Sequence, residues 1–320
     1  MSIVTSFRTA KSLPPVPERT GERLGVILVA ASAIAWSFGG TIARFLSVTD
    51  SWTIVFWRSF FATLFLLAFM LVRDGPRGTL ALFRGMGLAG LAVAICFATA
   101  SSSFVVALAH TTVANILLIQ AGVPLIAALL AWTLFREHIS IATWGAIAAV
   151  IFGVGVMVSD TFAGRVSPLG DGLALLITIA FATATVITRR HAEIRMTPAV
   201  CLGTAIAACL SAALAGGDAA GPLDFALLFA FGALNLGFGL ALFVTGARLI
   251  PAALAALIGT LEPVLGPIWV WLMNGEVPSD RTVLGGAIVL LALLVHLLME
   301  ARRQSRGAGR RAAMPLPPAS

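Results

Sequence analysis

Pro124, Trp132 and Glu137 recur as Pro263, Trp271 and Glu276, each 139 residues further along the chain. The three markers fall in the fourth and ninth of ten apolar stretches, each near the ~20 residues needed to cross about 30 Å of hydrocarbon. A duplication with five spans per copy constrains the fold sharply. Five is odd, so the second copy must enter the bilayer upside down relative to the first. Inverted repeats of this kind build many secondary transporters, with the substrate site between the halves near the midplane.

The composition agrees. The 320 residues are 59% hydrophobic and 11% charged, with a mean hydropathy of +1.00, whereas a soluble domain carries about 25% charged residues. The spans expected in the first copy are Leu24–Phe45, Trp52–Val72, Met86–Leu108, Thr111–Leu134 and Ile141–Ser159. Those of the second are Gly172–Thr188, Pro198–Ala215, Phe225–Ala247, Pro251–Met273 and Thr282–Met299. The fold class is therefore an all-α membrane protein of ten transmembrane helices in two inverted five-helix repeats. Residues 1–23, with Pro14, Pro15 and Pro17 among charges, read as a disordered cytoplasmic tail. The first repeat covers 24–159, the second 160–299, and a basic cytoplasmic tail covers 300–320.

The net charge of +7 does not point to nucleic acid, because its distribution follows membrane topology. With the N-terminus inside, 17 of 21 basic residues lie on inner segments. Arg44, Arg165 and Arg281 lie outside, and Arg58 lies within a span. This positive-inside bias puts both termini in the cytoplasm. The five tail arginines also suit contact with anionic lipid. Cys96, Cys201 and Cys209 all fall in apolar spans without CxxC spacing, so they read as small buried residues rather than disulfides or metal ligands.

Several motifs dissolve in context. Gly85 to Gly90 matches G-x-G-x-x-G, but it opens a membrane span with no strand before it, so helix packing is the better reading. His110, His138, His191 and His296 never pair at metal-ligand spacing. With no Walker A, HExxH or GxSxG sequence, the chain is expected to need no cofactor or metal and to hydrolyse no ATP. An ion gradient, the substrate's own gradient or a partner chain must then supply the energy.

The matched segments read VPLIAALLAWTLFRE, from Val123 to Glu137, and EPVLGPIWVWLMNGE, from Glu262 to Glu276. A weaker match lays Ala35-Trp36 over Ala180-Phe181 and Arg44 over Arg189, at an offset of 145. With Trp36 in span one and Arg58 in span two, this pattern resembles the EamA family of the drug/metabolite transporter superfamily over residues 24 to 299. The resemblance implies an inner-membrane transporter of small metabolites, often an exporter, working by alternating access. Gly275 departs from the first copy, which has Arg136 there.

Ionisable groups within a span cost roughly 2.5–3.5 kcal/mol on insertion scales and point to function. Glu262 lies 11 residues from either end of its span, near the midplane, and can carry a proton or hold a cationic group of the substrate. Arg58 lies six residues from the outer end of span two; it can face the pathway or snorkel to the outer interface. Ser102 of the triplet Ser101–Ser103, Asn115, Gln120 and Asn235 accompany them, with Trp36, as candidate substrate or coupling residues. Pro124 and Pro263 are the candidate hinges, since proline removes an intrahelical bond and leaves a kink. Spans five and ten, almost wholly apolar, read as scaffold helices.

The leading reading is a secondary transporter exporting a small metabolite or amphiphile, with a small molecule and membrane lipid as its partners. The small-residue faces also permit a homodimer. A flippase for a lipid-linked sugar is the alternative, favoured by a membrane-facing gap between polar spans. An intramembrane enzyme is a third, disfavoured because no base accompanies the serine triplet, so no catalytic residue is expected.

Overall fold

The computed structural model describes residues 18–136, 140–162, 167–217 and 220–312. Glu137, His138 and Arg165 lie outside these, as do most of the N-terminal tail and the end of the C-terminal one. Among the described residues all regular structure is helical.

The first half contains α1 (Glu18–Ser37), α2 (Gly39–Phe45), α3 (Ser51–Gly85), α4 (Gly87–Leu108), α5 (Val113–Gln120), α6 (Val123–Phe135) and α7 (Ile141–Phe162). The second contains α8 (Pro168–Arg190), α9 (Thr197–Ala212), α10 (Pro222–Phe229), a π-helical segment (Ala230–Phe238), α11 (Gly239–Gly246), α12 (Ala252–Gly259), α13 (Leu261–Asn274) and α14 (Asp280–Ala312). Helix α1 begins inside the expected N-terminal tail, and α14 runs on into the basic tail.

Local chemistry sets the ends. The Asp50 carboxylate caps α3 by accepting from the Trp52 and Thr53 amides at 3.2 and 3.0 Å, satisfying donors that a helix N-terminus leaves free. Helix α3 outruns the expected span end at Val72 and breaks at Gly75, whose φ of 69° suits only glycine. Pro76, which has no N–H to lose, restarts the helix. The Thr112 hydroxyl caps α5 by accepting from the Asn115 amide at 3.1 Å.

Among the described residues, eight helical segments are long and apolar enough to cross a membrane. A ninth follows if α5 and α6, bent by 41°, cross as one. Helix α9 is apolar but only 16 residues long, or about 24 Å at 1.5 Å per residue. The protein is thus a multi-pass membrane protein. Large apolar side chains left exposed along these helices, such as Leu64, Ile95, Phe152 and Leu291, form the lipid-facing surface that hydrocarbon rather than water would cover.

The helices pack in related pairs. Helix α4 lies on α8, as α1 lies on α11; α4 lies on α9, as α3 lies on the π segment; α6 lies on α8, as α1 lies on α13. Three further pairs, α3 with α9, α5 with α13 and α7 with α14, join corresponding spans of the two copies. In the last, the backbones meet at glycines: a Cβ on Gly285 would stand 2.4 Å from the Gly153 carbonyl oxygen, and one on Gly153 would stand 2.8 Å from that of Gly285. Such contact maximises dispersion between helices where no hydrophobic force acts. Helices α7 and α14 are the expected scaffold pair.

Candidate functional site

Two helix breaks face each other in the interior. Pro124 is the second residue of α6, and its missing N–H and its ring end the ladder of α5 at Gln120, one turn earlier. Pro263 is the third residue of α13, and α12 correspondingly ends at Gly259. The sequence reading expected each proline to kink one span; each begins the second of two short helices that are long and apolar enough to cross together, α5 and α6 with a bend of 41° and α12 and α13 over Leu254–Asn274. Breaks of this kind are tolerated in a membrane only where protein or a cavity surrounds the freed polar groups.

Between the breaks lies a cavity of about 180 Å³ lined by Gln120, Pro124, Thr260, Glu262 and Pro263 among apolar neighbours. Four of the residues singled out in the sequence therefore meet here. Glu262 stands in the first turn of α13, where the helix dipole favours a negative charge. It is half-buried, open to the cavity, and among the described residues its carboxylate accepts no hydrogen bond. The Gln120 side-chain oxygen is buried and unpartnered. Two acceptors without donors leave the cavity able to bind a proton or a donor-rich group.

Arg58 does not snorkel. It is 6% exposed and turns inward, donating from Nη1 to the Ser101 hydroxyl at 2.8 Å and less closely to the Ser101 carbonyl at 3.4 Å. Its guanidinium lies 4.4 Å from the Phe231 ring centroid and 5.7 Å from that of Phe104, so aromatic faces supply part of the solvation that water would give. Its Nε has no partner. Arg58 and Glu262 form no ion pair with each other.

The remaining candidates occupy separate places. Asn235, on the π segment, donates to the carbonyls of Ala35 and Trp36 at 2.6 and 3.2 Å, satisfying the end of α1 where it breaks before α2. Trp36 packs against Phe243, and Gly239 leaves room for its indole, whose N–H is unpartnered. Asn115 is buried and donates to the Thr111 hydroxyl and to Asp171. Ser102 is half-buried, and it is its neighbour Ser101 that meets Arg58.

Sequence reasoning passed over Ser101, Phe231, Thr260 and Asp171. The first belonged to a noted triplet, but nothing in three equal serines marks the one that faces span two. Asp171 was passed over because it falls just before the expected start of span six at Gly172. A larger groove of about 610 Å³, lined by Phe61, Pro222, Phe225 and Phe229, has no ionisable group among its described lining residues, so the smaller cavity is the better candidate for chemistry.

The EamA-like transporter family matches residues 23–159 and again residues 168–298. The chain belongs to this family and carries its characteristic unit twice. Fourteen chains of known structure are similar. One of them, a crystal structure of a protein, is 17% identical and superposes with a TM-score of 0.62 over 88% of this chain and 99% of its own; at that identity the likeness concerns the fold alone. No curated protein matches the chain.

Proposed function

We propose that the protein is a secondary transporter that exports a small metabolite or amphiphile across the inner membrane by alternating access. The observation that carries this reading is the cavity between two breaks in repeat-related positions, with Glu262 and Gln120 on its wall. Broken helices let each half rock about its proline while the site between them stays intact. In this reading ten spans form two inverted sets of five, α9 crosses as the short seventh span, and both termini are cytoplasmic. The paired packing described above supports it, since exchanging corresponding spans of the two copies maps each named contact onto another or onto itself.

Glu262 is the coupling residue, loading and releasing a proton as the cavity changes sides. Arg58 supplies the second interior charge. Gln120 contacts substrate beside Glu262, while Trp36, Ser102, Asn115 and Asn235 line the pathway further along. Pro124 and Pro263 are the hinges. The test is efflux and uptake of a metabolite panel in inverted vesicles, with and without a proton gradient. Gradient-dependent movement of one compound that is lost in Glu262→Gln, with binding retained, supports the reading. Transport by Glu262→Gln at the unaltered rate and pH dependence would make the residue structural.

The lateral groove at Phe61, Phe225 and Phe229 favours a second reading, a flippase for a lipid-linked sugar. Among the described residues its lining holds no charged group to lead a sugar headgroup across, so metabolite transport is preferred. An intramembrane enzyme has less support still, because Ser101 of the only nucleophile cluster is occupied by Arg58.

A further inference from the structure

At the opposite ends of α5 and α13 from the cavity residues, an ion pair gathers four helix ends. Arg44, in the last turn of α2, donates from Nε to Glu276 Oε2 at 2.7 Å. Its other nitrogens donate to the carbonyls of Leu108 and Thr111, at 2.7 and 3.0 Å, at and just beyond the end of α4. The other oxygen of Glu276, Oε1, accepts from the Val113 amide at 2.7 Å, the first residue of α5. Glu276 itself follows the left-handed cap of α13 at Gly275. One guanidinium thus covers carbonyls where a helix dipole is negative, and one carboxylate covers an amide where it is positive. Glu276 comes from the second repeat, and its partners come from the first.

We propose that Arg44 and Glu276 form the latch of the outer gate, holding the two halves together above α5 while the pathway is closed on that side. This rests on the alternating-access reading, in which the first half of the broken α5–α6 pair has to move relative to α13. Both latch residues are partly exposed, with side-chain accessibilities of 30% and 17%. An ion pair open to water on one flank contributes little net stability, which is what a contact broken once per cycle requires. Its geometry is nonetheless specific, because all three guanidinium nitrogens and both carboxylate oxygens are used. Other polar ties cross between the halves beside it: Ser47 donates to Asp224, and the Gly216 amide donates to Asp50 at 2.8 Å. These tie the rim, whereas the Arg44–Glu276 pair alone joins α2, α4, α5 and α13.

The test is the rate at which a membrane-impermeant maleimide labels a cysteine just beneath the latch. Ala114→Cys is suitable because Ala114 is 3% exposed, and Cys96, Cys201 and Cys209 are replaced by alanine to clear the background. A second reporter, Ala199→Cys, lies at the other end of the bundle and is fully buried. In right-side-out vesicles, Glu276→Gln should speed labelling at position 114 at least tenfold. Arg44→Lys, which keeps the charge but loses the fork, should give an intermediate rate. Labelling at position 199 from inverted vesicles should slow or stay unchanged, as alternation demands. Equal rates at position 114 with and without the latch, in whichever of the two variants folds, overturn the proposal. Faster labelling at both ends overturns it too, since that is general loosening. Faster labelling at position 114 only in inverted vesicles keeps the latch and overturns the orientation.

Discussion

Arg136 and Gly275 hold the same backbone position in the two halves of the protein. Their φ angles are 54° and 70°, both left-handed, and their amides close the preceding helices onto the carbonyls of Trp132 and Trp271 at 2.9 and 3.1 Å. The second copy uses the residue that meets this geometry without strain, and the first copy bears it on an arginine.

That difference predicts opposite responses. Arg136→Gly should stabilise the protein by about 1 kcal/mol, offset in part by the greater freedom of glycine in the unfolded chain, and Gly275→Ala should destabilise it by a similar amount. Thermal unfolding in detergent reads both. A fall in Tm for Arg136→Gly would mean that the arginine side chain contributes more than its backbone costs.

Ser101 and Ser102 should behave differently although they are neighbours. Ser101→Ala removes the hydroxyl that accepts from a buried guanidinium and should cost about 1–3 kcal/mol. Ser102→Ala should change stability by less than about 0.5 kcal/mol. If Tm and transport respond alike to the two substitutions, Arg58 is not held by Ser101 in the working protein.

Replacing Pro124 or Pro263 with alanine restores the N–H that would let α5 run into α6, or α12 into α13. Turnover in vesicles should fall several-fold while the amount of protein in the membrane is unchanged, because a continuous helix is itself a good membrane span. Full turnover in both variants would leave the prolines with a packing role only.

Asp50 lies outside the spans and gives a pH signature. Burial pushes its carboxyl up, but the Thr53 hydroxyl and the amides of Gly216, Trp52 and Thr53 outweigh this and hold it below its ordinary value of 3.8. A carboxylate depressed in the folded state contributes stability that is present above its unfolded value and is lost as the pH falls through the folded one. The Tm of the protein should therefore drop on acidification from about pH 5 to about pH 3. Asp50→Asn should start lower and show less of that drop. Parallel Tm profiles for the two proteins would show that Asp50 is not what acid titrates.

Orientation has its own test. A cysteine at Asp50 or Asp280 should react with impermeant reagent from outside intact cells, and one at Arg77 or Glu193 should be protected. The reverse pattern would invert the topology read from the arginines and place the Arg44–Glu276 pair on the cytoplasmic side.

The repeat, the membrane class and the family were legible in the chain itself, because each rests on signals that survive without contacts. Apolar length is a transfer energy summed along a helix, and the proline, tryptophan and glutamate markers sit at fixed offsets whatever surrounds them. Proline also announces a break wherever it stands, so Pro124 and Pro263, and the nearby Gln120 and Glu262, could be found by reading. What reading left open was which polar group meets which. A helix such as α4, apolar nearly all round, marks no face, so neither the choice of Ser101 over Ser102 nor the inward turn of Arg58 could be read from spacing. The same holds for Arg44 and Glu276, 232 residues apart, whose pairing exists only because the second copy folds back on the first. In lipid the hydrophobic effect does not choose between helix faces; close packing at glycines and the need to satisfy every buried donor do, and both depend on neighbours that only the tertiary structure supplies.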